Sequence, residues 1–160
     1  MMQYRIYEKN AIRVVGVKIP IVEDHEKNMI LIPRFWARTI GTRRFDKICT
    51  LAEQEPHGVL GISAYFDPQH IYYYIAAATN QPVTDGLEEF LIPAAAWCVV
   101  TGVPCSSATL MDMFKGFFTE FLPSSGLEYA ELPDIEVYPI DGEGNTVPLK
   151  EMWFAVKQSD

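Results

Sequence analysis

The stretch "LPDIEVYPI", Leu132 to Ile140, sets a carboxylate and a phenol two residues apart. Read as a strand between two prolines, it alternates: Leu132, Asp134, Glu136 and Tyr138 point one way, Ile135 and Val137 the other. A sheet with one covered face turns its apolar set inward, so Ile135 and Val137 face a core and Glu136 shares the opposite face with Tyr138. On that face a glutamate has two uses. It can sit solvated, as glutamates on alternating strands routinely do. Or it can stand in a cleft, where losing water costs a carboxylate several kcal/mol, roughly, unless a cation compensates. Aromatic faces attract the same cation by roughly 0.5–2 kcal/mol each. Trp36, Tyr65, Tyr73 or Tyr74, Trp97, Tyr138 and Trp153 can supply them. Large rings accept flat aromatic ligands without demanding one hydrogen-bond pattern, so such a site is permissive by construction.

Other chemistries find little support. Cys49, Cys98 and Cys105 form no CxxC, and His25, His57 and His70 share no ligand-like spacing, so no disulfide framework and no metal site is expected. Cys105 stands before a helix, where a thiol can be activated, but no histidine is near it in sequence and an inert thiol is the plainer reading. There is no nucleophile elbow and no phosphate-binding glycine loop, and no cofactor is expected. A net charge of −8 opposes direct nucleic-acid binding. The one basic cluster, "RTIGTRR" (Arg38 to Arg44), reads as a solvated helix face. The longest apolar runs are too short to span a bilayer, and "MMQYRIYEKN" has no secretory pattern, so the expected location is cytoplasmic.

The elements that must position these residues follow from periodicity. "IRVVGVKIPI" reads as a β-branched strand, and after an acidic connection Phe35, Trp36, Thr39 and Ile40 recur at helical spacing. Pro33 suits that helix's first turn, and Gly41 allows a break. "VLGISAYFD" and "IYYYIAAAT" form an antiparallel pair, with Tyr72 and Tyr74 on one face and Tyr73 on the other. A long strand, "LEEFLIPAAAWCVVTGVPC", carries a proline that implies an edge or bulge. Its following helix, capped by Ser106 or Ser107, has the stripe Leu110, Met113, Phe114, Phe117, Phe118 and Phe121. Strands "LEYAELPDIEVYPI" and "VPLKEMWFAVKQ" close the chain. The order strand–helix–strand–strand occurs twice, and "VVGVKIP" and "PRFWARTI" are faintly echoed by "VVTGVPC" and "MDMFKGFF". Two βαββ units, about 1–82 and 83–160, would build one antiparallel sheet with two helices on one face, an α+β fold. The other face is expected to be open to water, or to a ligand at the junction of the halves.

"FLIPAAAWCVVTG" and "FKGFFTEFLPSSGLEYAELPDIEVY" carry a family likeness. They resemble the GyrI-like domains, the effector-binding domains of AraC-type and MerR-type multidrug regulators. The resemblance is most specific from Phe90 to Tyr138 and covers nearly the whole chain. It implies the duplicated βαββ fold, with a pocket between the repeats for lipophilic aromatic cations. By motif, the family's carboxylate falls on Glu136 with Tyr138 beside it, the first-helix tryptophan on Trp36, and the aromatic after "IPA" on Trp97. It also implies a stand-alone small-molecule binder, since the chain leaves no room for the helix-turn-helix domain that regulators carry in front. One alternative is a hydrolase of strained cyclopropane-containing genotoxins, with Glu136 orienting a water as general base, Tyr138 donating a hydrogen bond and Trp36 packing on the substrate. A second is a DNA gyrase inhibitor-like interaction protein. A homodimer, or a separate DNA-binding or gyrase partner, is left open.

Overall fold

In the computed structural model, residues 2–84, 86–101 and 107–159 are described. One antiparallel sheet contains all nine strands: β1 (Gln3–Lys9), β2 (Ile12–Ile21), β3 (Val59–Asp67), β4 (His70–Ala78), β5 (Glu88–Ile92), β6 (Ala95–Thr101), β7 (Leu127–Tyr129), β8 (Asp134–Tyr138) and β9 (Glu151–Gln158). Eight run in the order β1-β6-β9-β8-β3-β4-β2-β5, and β7 adds to β9. Read outward from the central pair β8–β3, the two sides match: β3, β4, β2 on one and β8, β9, β6 on the other. Each outermost strand belongs in sequence to the opposite half, because β1 pairs β6 and β5 pairs β2. The long strand expected from Leu87 onward is therefore two, interrupted at Pro93, whose missing N–H cannot join a ladder.

The first helix starts eight residues before Pro33. Helix α1 (His25–Thr39) begins where the Asp24 carboxylate accepts from the N–H groups of Glu26 (2.9 Å) and Lys27 (3.3 Å), a cap strong enough to set the start and leave Pro33 inside. Ile32, Phe35, Trp36 and Thr39 form its inward stripe. Gly41, at φ +88°, takes a left-handed turn that ends α1. Thr42 then caps α2 (Arg43–Leu51), whose Phe45, Ile48 and Leu51 are buried. Helix α3 (Ser107–Gly116) runs on through a π-turn (Phe117–Phe121) and a closing turn (Leu122–Ser125) to Gly126 at φ +76°. Of its two expected caps, Ser107 is the first residue of the helix, while Ser106, like Cys105, lies outside the described residues.

The two helical regions share one face of the sheet. Helices α1 and α2 cover Val15, Val59, Tyr73, Ile75 and Ala77, while α3 and the π-turn cover Cys98, Val100, Met152, Phe154 and Val156. Phe117 stacks on Phe154 at 4.3 Å. The opposite face departs from expectation. It is not open to water but holds a buried cluster drawn from both halves, including Val14, Leu60, Ile62, Ala76, Trp97, Val99, Ile135, Val137, Trp153 and Ala155. Among the described residues no helix packs on it; Ala130 and Leu132 of the β7–β8 connection do, together with Tyr72, Phe90 and Ala95.

Candidate functional site

Glu136 lies at the middle of the sheet. In register it stands opposite Gly61 of β3 on one side and Met152 of β9 on the other, with its side chain on the helix-bearing face. That position falls on the seam between the cluster under α1–α2 and the cluster under α3. Gly61 makes room for it: a Cβ there would fall 2.1 Å from Tyr73 Oη and 3.0 Å from Glu136 Oε1. A methyl group cannot occupy that space unless the tyrosine moves.

A hydrogen-bonded chain converges on one carboxylate oxygen. Trp36 Nε1 donates to Tyr73 Oη at 2.9 Å, Tyr73 Oη donates to Glu136 Oε1 at 3.1 Å, and Tyr138 Oη donates to the same oxygen at 2.5 Å. The Trp36 ring meets Tyr138 edge-on, with centroids 5.0 Å apart. Oε2 accepts nothing from the described residues, and none of the ion pairs among them involves Glu136. Burial pushes the Glu136 carboxyl up to about 7, while the Tyr138 and Tyr73 hydrogen bonds, which favour its ionised form, pull the other way. Fully buried Tyr73 is held well above the usual phenol range by burial first and by the Glu136 charge second. It therefore acts as a neutral donor.

A second carboxyl shares this face. Asp134 Oδ1 accepts from Tyr129 Oη at 2.7 Å. Burial raises its pKa to about 7, the Tyr129 bond opposes the rise, and the neighbouring Glu136 charge adds to it. The strand's alternation put Asp134 beside Glu136 without assigning it a role. What was not readable was Tyr129, five residues earlier, as its donor. Gly61 carried no signal either, because its use depends on strand register.

The residues anticipated from sequence divide between the two faces. Glu136, Tyr138, Trp36 and Tyr73 come together. Trp97, Trp153 and Tyr74 lie on the opposite face: the two indoles have centroids 6.0 Å apart, and Tyr74 stacks on Phe90 at 4.6 Å. Tyr65 shares the Glu136 face but sits at the far end of β3, 55% exposed, its hydroxyl 3.4 Å from a Glu23 carboxylate oxygen. Arg38, Arg43 and Arg44 line a cleft of about 380 Å³ at the α1–α2 elbow; their side chains are exposed. Burial pushes the Cys98 thiol up to about 12, which makes it a poor nucleophile. Among the described residues no group of three or more His, Cys, Asp or Glu could hold a metal, and no helix is long and apolar enough to cross a membrane.

Comparisons with known proteins agree on the fold. SAV2435 bound to tetraphenylphosphonium is similar over 97% of this chain and 94% of that one, with a TM-score of 0.81 at 15% identity. A Staphylococcus aureus MU50 protein described as a putative bacterial transcription regulation protein matches over 98% and 99%, with a TM-score of 0.77 at 18% identity. The Vibrio cholerae integron cassette protein VCH_CASS2 matches over 96% and 95%, with a TM-score of 0.55 at 18% identity. No curated protein matches the sequence. At these identities the likeness establishes a shared GyrI-like fold. The family follows from the sequence itself: residues 5–156 match the Cass2 model, and the chain belongs to the Cass2 family of integron-associated effector binding proteins.

Proposed function

We propose that this protein binds lipophilic aromatic cations at the seam between its halves, with Glu136 as the counter-charge and Trp36, Tyr73 and Tyr138 as the surrounding aromatic groups. One observation carries the reading. Glu136 is a half-buried carboxyl with one oxygen held by two tyrosines, and among the described residues the other oxygen accepts no hydrogen bond and no cationic side chain pairs with it. A protein that kept this group only for stability would gain by pairing it or replacing it with an apolar residue. A bound cation returns what desolvation costs, and the indole and phenol faces add cation–π attraction. The tyrosines fix the carboxylate beforehand, so less order is lost on binding. The fold relative bound to tetraphenylphosphonium indicates that this architecture can hold such a ligand.

The test is titration calorimetry of wild type and Glu136→Gln with tetraphenylphosphonium and with neutral triphenylphosphine oxide. The expected result is cation-selective binding, weakened by about tenfold or more in Glu136→Gln. Equal affinity in the two proteins, or a wild type that binds neither this nor any other aromatic cation, overturns the proposal.

A further inference from the structure

We propose that Asp134 is a second anionic pole of the same site, and that the preferred ligands are elongated dications whose positive centres lie about one strand repeat apart, roughly 7 Å. This rests on the reading of Glu136 given above and specifies the ligand class further.

The two carboxyls are alternate residues of β8 and so leave the sheet on the same side. Each is organised alike. Tyr129 holds Asp134 Oδ1 just as Tyr73 and Tyr138 hold Glu136 Oε1, and in both carboxyls the second oxygen accepts no hydrogen bond from the described residues. No ion pair among the described residues reaches either. Each has its own aromatic neighbours. Trp36 and Tyr138 flank Glu136; on the Asp134 side, Tyr129 packs against Phe118 at 5.3 Å and Phe117 at 6.3 Å. Phe118 is 38% exposed, so this second aromatic wall reaches the surface.

Electrostatics separates one charge from two. The carboxyls feel each other, since the Glu136 charge disfavours ionisation of Asp134. A monocation compensates one and leaves the other either protonated or ionised and unpaired. A dication of matching length compensates both, and the two aromatic walls receive its two ends. Ligand length thus becomes a selection rule that a single carboxylate could not impose.

The experiment titrates the protein with benzyl-substituted bis-quaternary ammonium compounds of increasing polymethylene linker length, against benzyltrimethylammonium as the monocation. Wild type is expected to prefer one linker length over the monocation by about tenfold or more. In Asp134→Asn that preference should vanish, so that no linker length binds better than the monocation, and in Glu136→Gln both ligands should weaken. A wild type without a length optimum, or a preference that survives in Asp134→Asn, overturns the second pole but leaves the Glu136 site standing. Loss of neither ligand in Glu136→Gln overturns the underlying site as well. Should Asp134→Asn fail to fold, carboxyl ¹³C shifts of wild type decide: the dication must move both resonances and the monocation predominantly that of Glu136. Movement of the Glu136 resonance alone with both ligands overturns the proposal.

Discussion

The two faces of the sheet use similar residues to opposite ends. On the helix-free face Trp97, Trp153 and Tyr74 pack among alanines and branched aliphatics with almost no exposure. On the helix-bearing face Trp36, Tyr73 and Tyr138 stand around a carboxylate. Aromatic content therefore does not mark the candidate site. The difference lies in the carboxyls at the seam, where the clusters under α1–α2 and under α3 leave a place that neither fills. A core needs mutual contact, and a binding site needs one unmet demand. The first face has contact throughout, apart from the buried Trp97 Nε1, which finds no hydrogen-bond partner among the described residues. On the second face the buried Tyr4 Oη likewise lacks a partner among the described residues, and the half-buried carboxyls of Glu136 and Asp134 each keep an oxygen that accepts no hydrogen bond from them.

Removing the largest ring from the helix-free face tests that division most strongly. Trp97→Ala should lower stability by about 3–5 kcal/mol in chemical denaturation, by lost burial and the cavity left behind. Any protein still folded should keep its affinity for the aromatic cation. If affinity fell while stability held, the indole would belong to the site and the contrast between faces would break.

Titration gives the next largest effect. Glu136 and Asp134 both have folded-state pKa values near 7, against ordinary values of 4.5 and 3.8. Between those limits the folded state holds more protons than the unfolded state, so stability falls as pH rises from about 4 to 7 and levels off above. The loss is at most on the order of 3 kcal/mol for Glu136 and 4 kcal/mol for Asp134, less when the pair shares its charge. The groups facing Glu136 are Tyr73 from β4, Tyr138 and Asp134 from β8 and Trp36 from α1, none of them cationic. Cation binding should run the other way, strengthening as pH rises through 7 and releasing protons below it. Melting curves across this range should show the decline in wild type and flatten in the Glu136→Gln, Asp134→Asn double variant. A stability that is flat across this range would mean that both carboxyls are solvated, and a rise toward pH 7 that the folded state favours their ionised forms.

Gly61→Ala is the smaller steric counterpart. The added methyl would press on Tyr73 Oη and Glu136 Oε1, costing about 1–3 kcal/mol. Because it strikes the tyrosine–glutamate contact, it should also weaken cation binding. An alanine variant as stable as wild type, with unchanged affinity, would show that the site has slack.

Much of the fold was legible because alternation and helical spacing are local. The β3–β4 pair, the break at Gly41 and the orientation of Glu136 away from Ile135 and Val137 all follow from neighbours in sequence. Strand β1 did not announce itself, since as an edge strand it is exposed except at Tyr4 and Lys9 and its residue types show no alternation. Pro33 misled because a capping aspartate nine residues earlier outweighed it. The sorting of aromatics between faces needs register between strands, which sequence spacing does not supply. Tyr73 and Tyr74 were distinguishable only as opposites. The pairing of Ser63 with Tyr73, and of Gly61 with Glu136, decides which of them meets the carboxylate.

That choice can be tested at the scale of one hydroxyl. Tyr73→Phe keeps the ring and removes the group that accepts from Trp36 and donates to Glu136. The Trp36 N–H loses its partner and the carboxylate keeps only the Tyr138 hydrogen bond, so stability should fall by about 0.5–1.5 kcal/mol. Since the lost bond favoured the ionised carboxylate, the pH at which cation binding reaches half its maximum should move upward. Tyr74→Phe, on the opposite face, should leave that midpoint where it is. A purely structural role for Tyr73 would lower stability without moving the midpoint, so the pair of variants separates packing from tuning of the charge that meets the ligand.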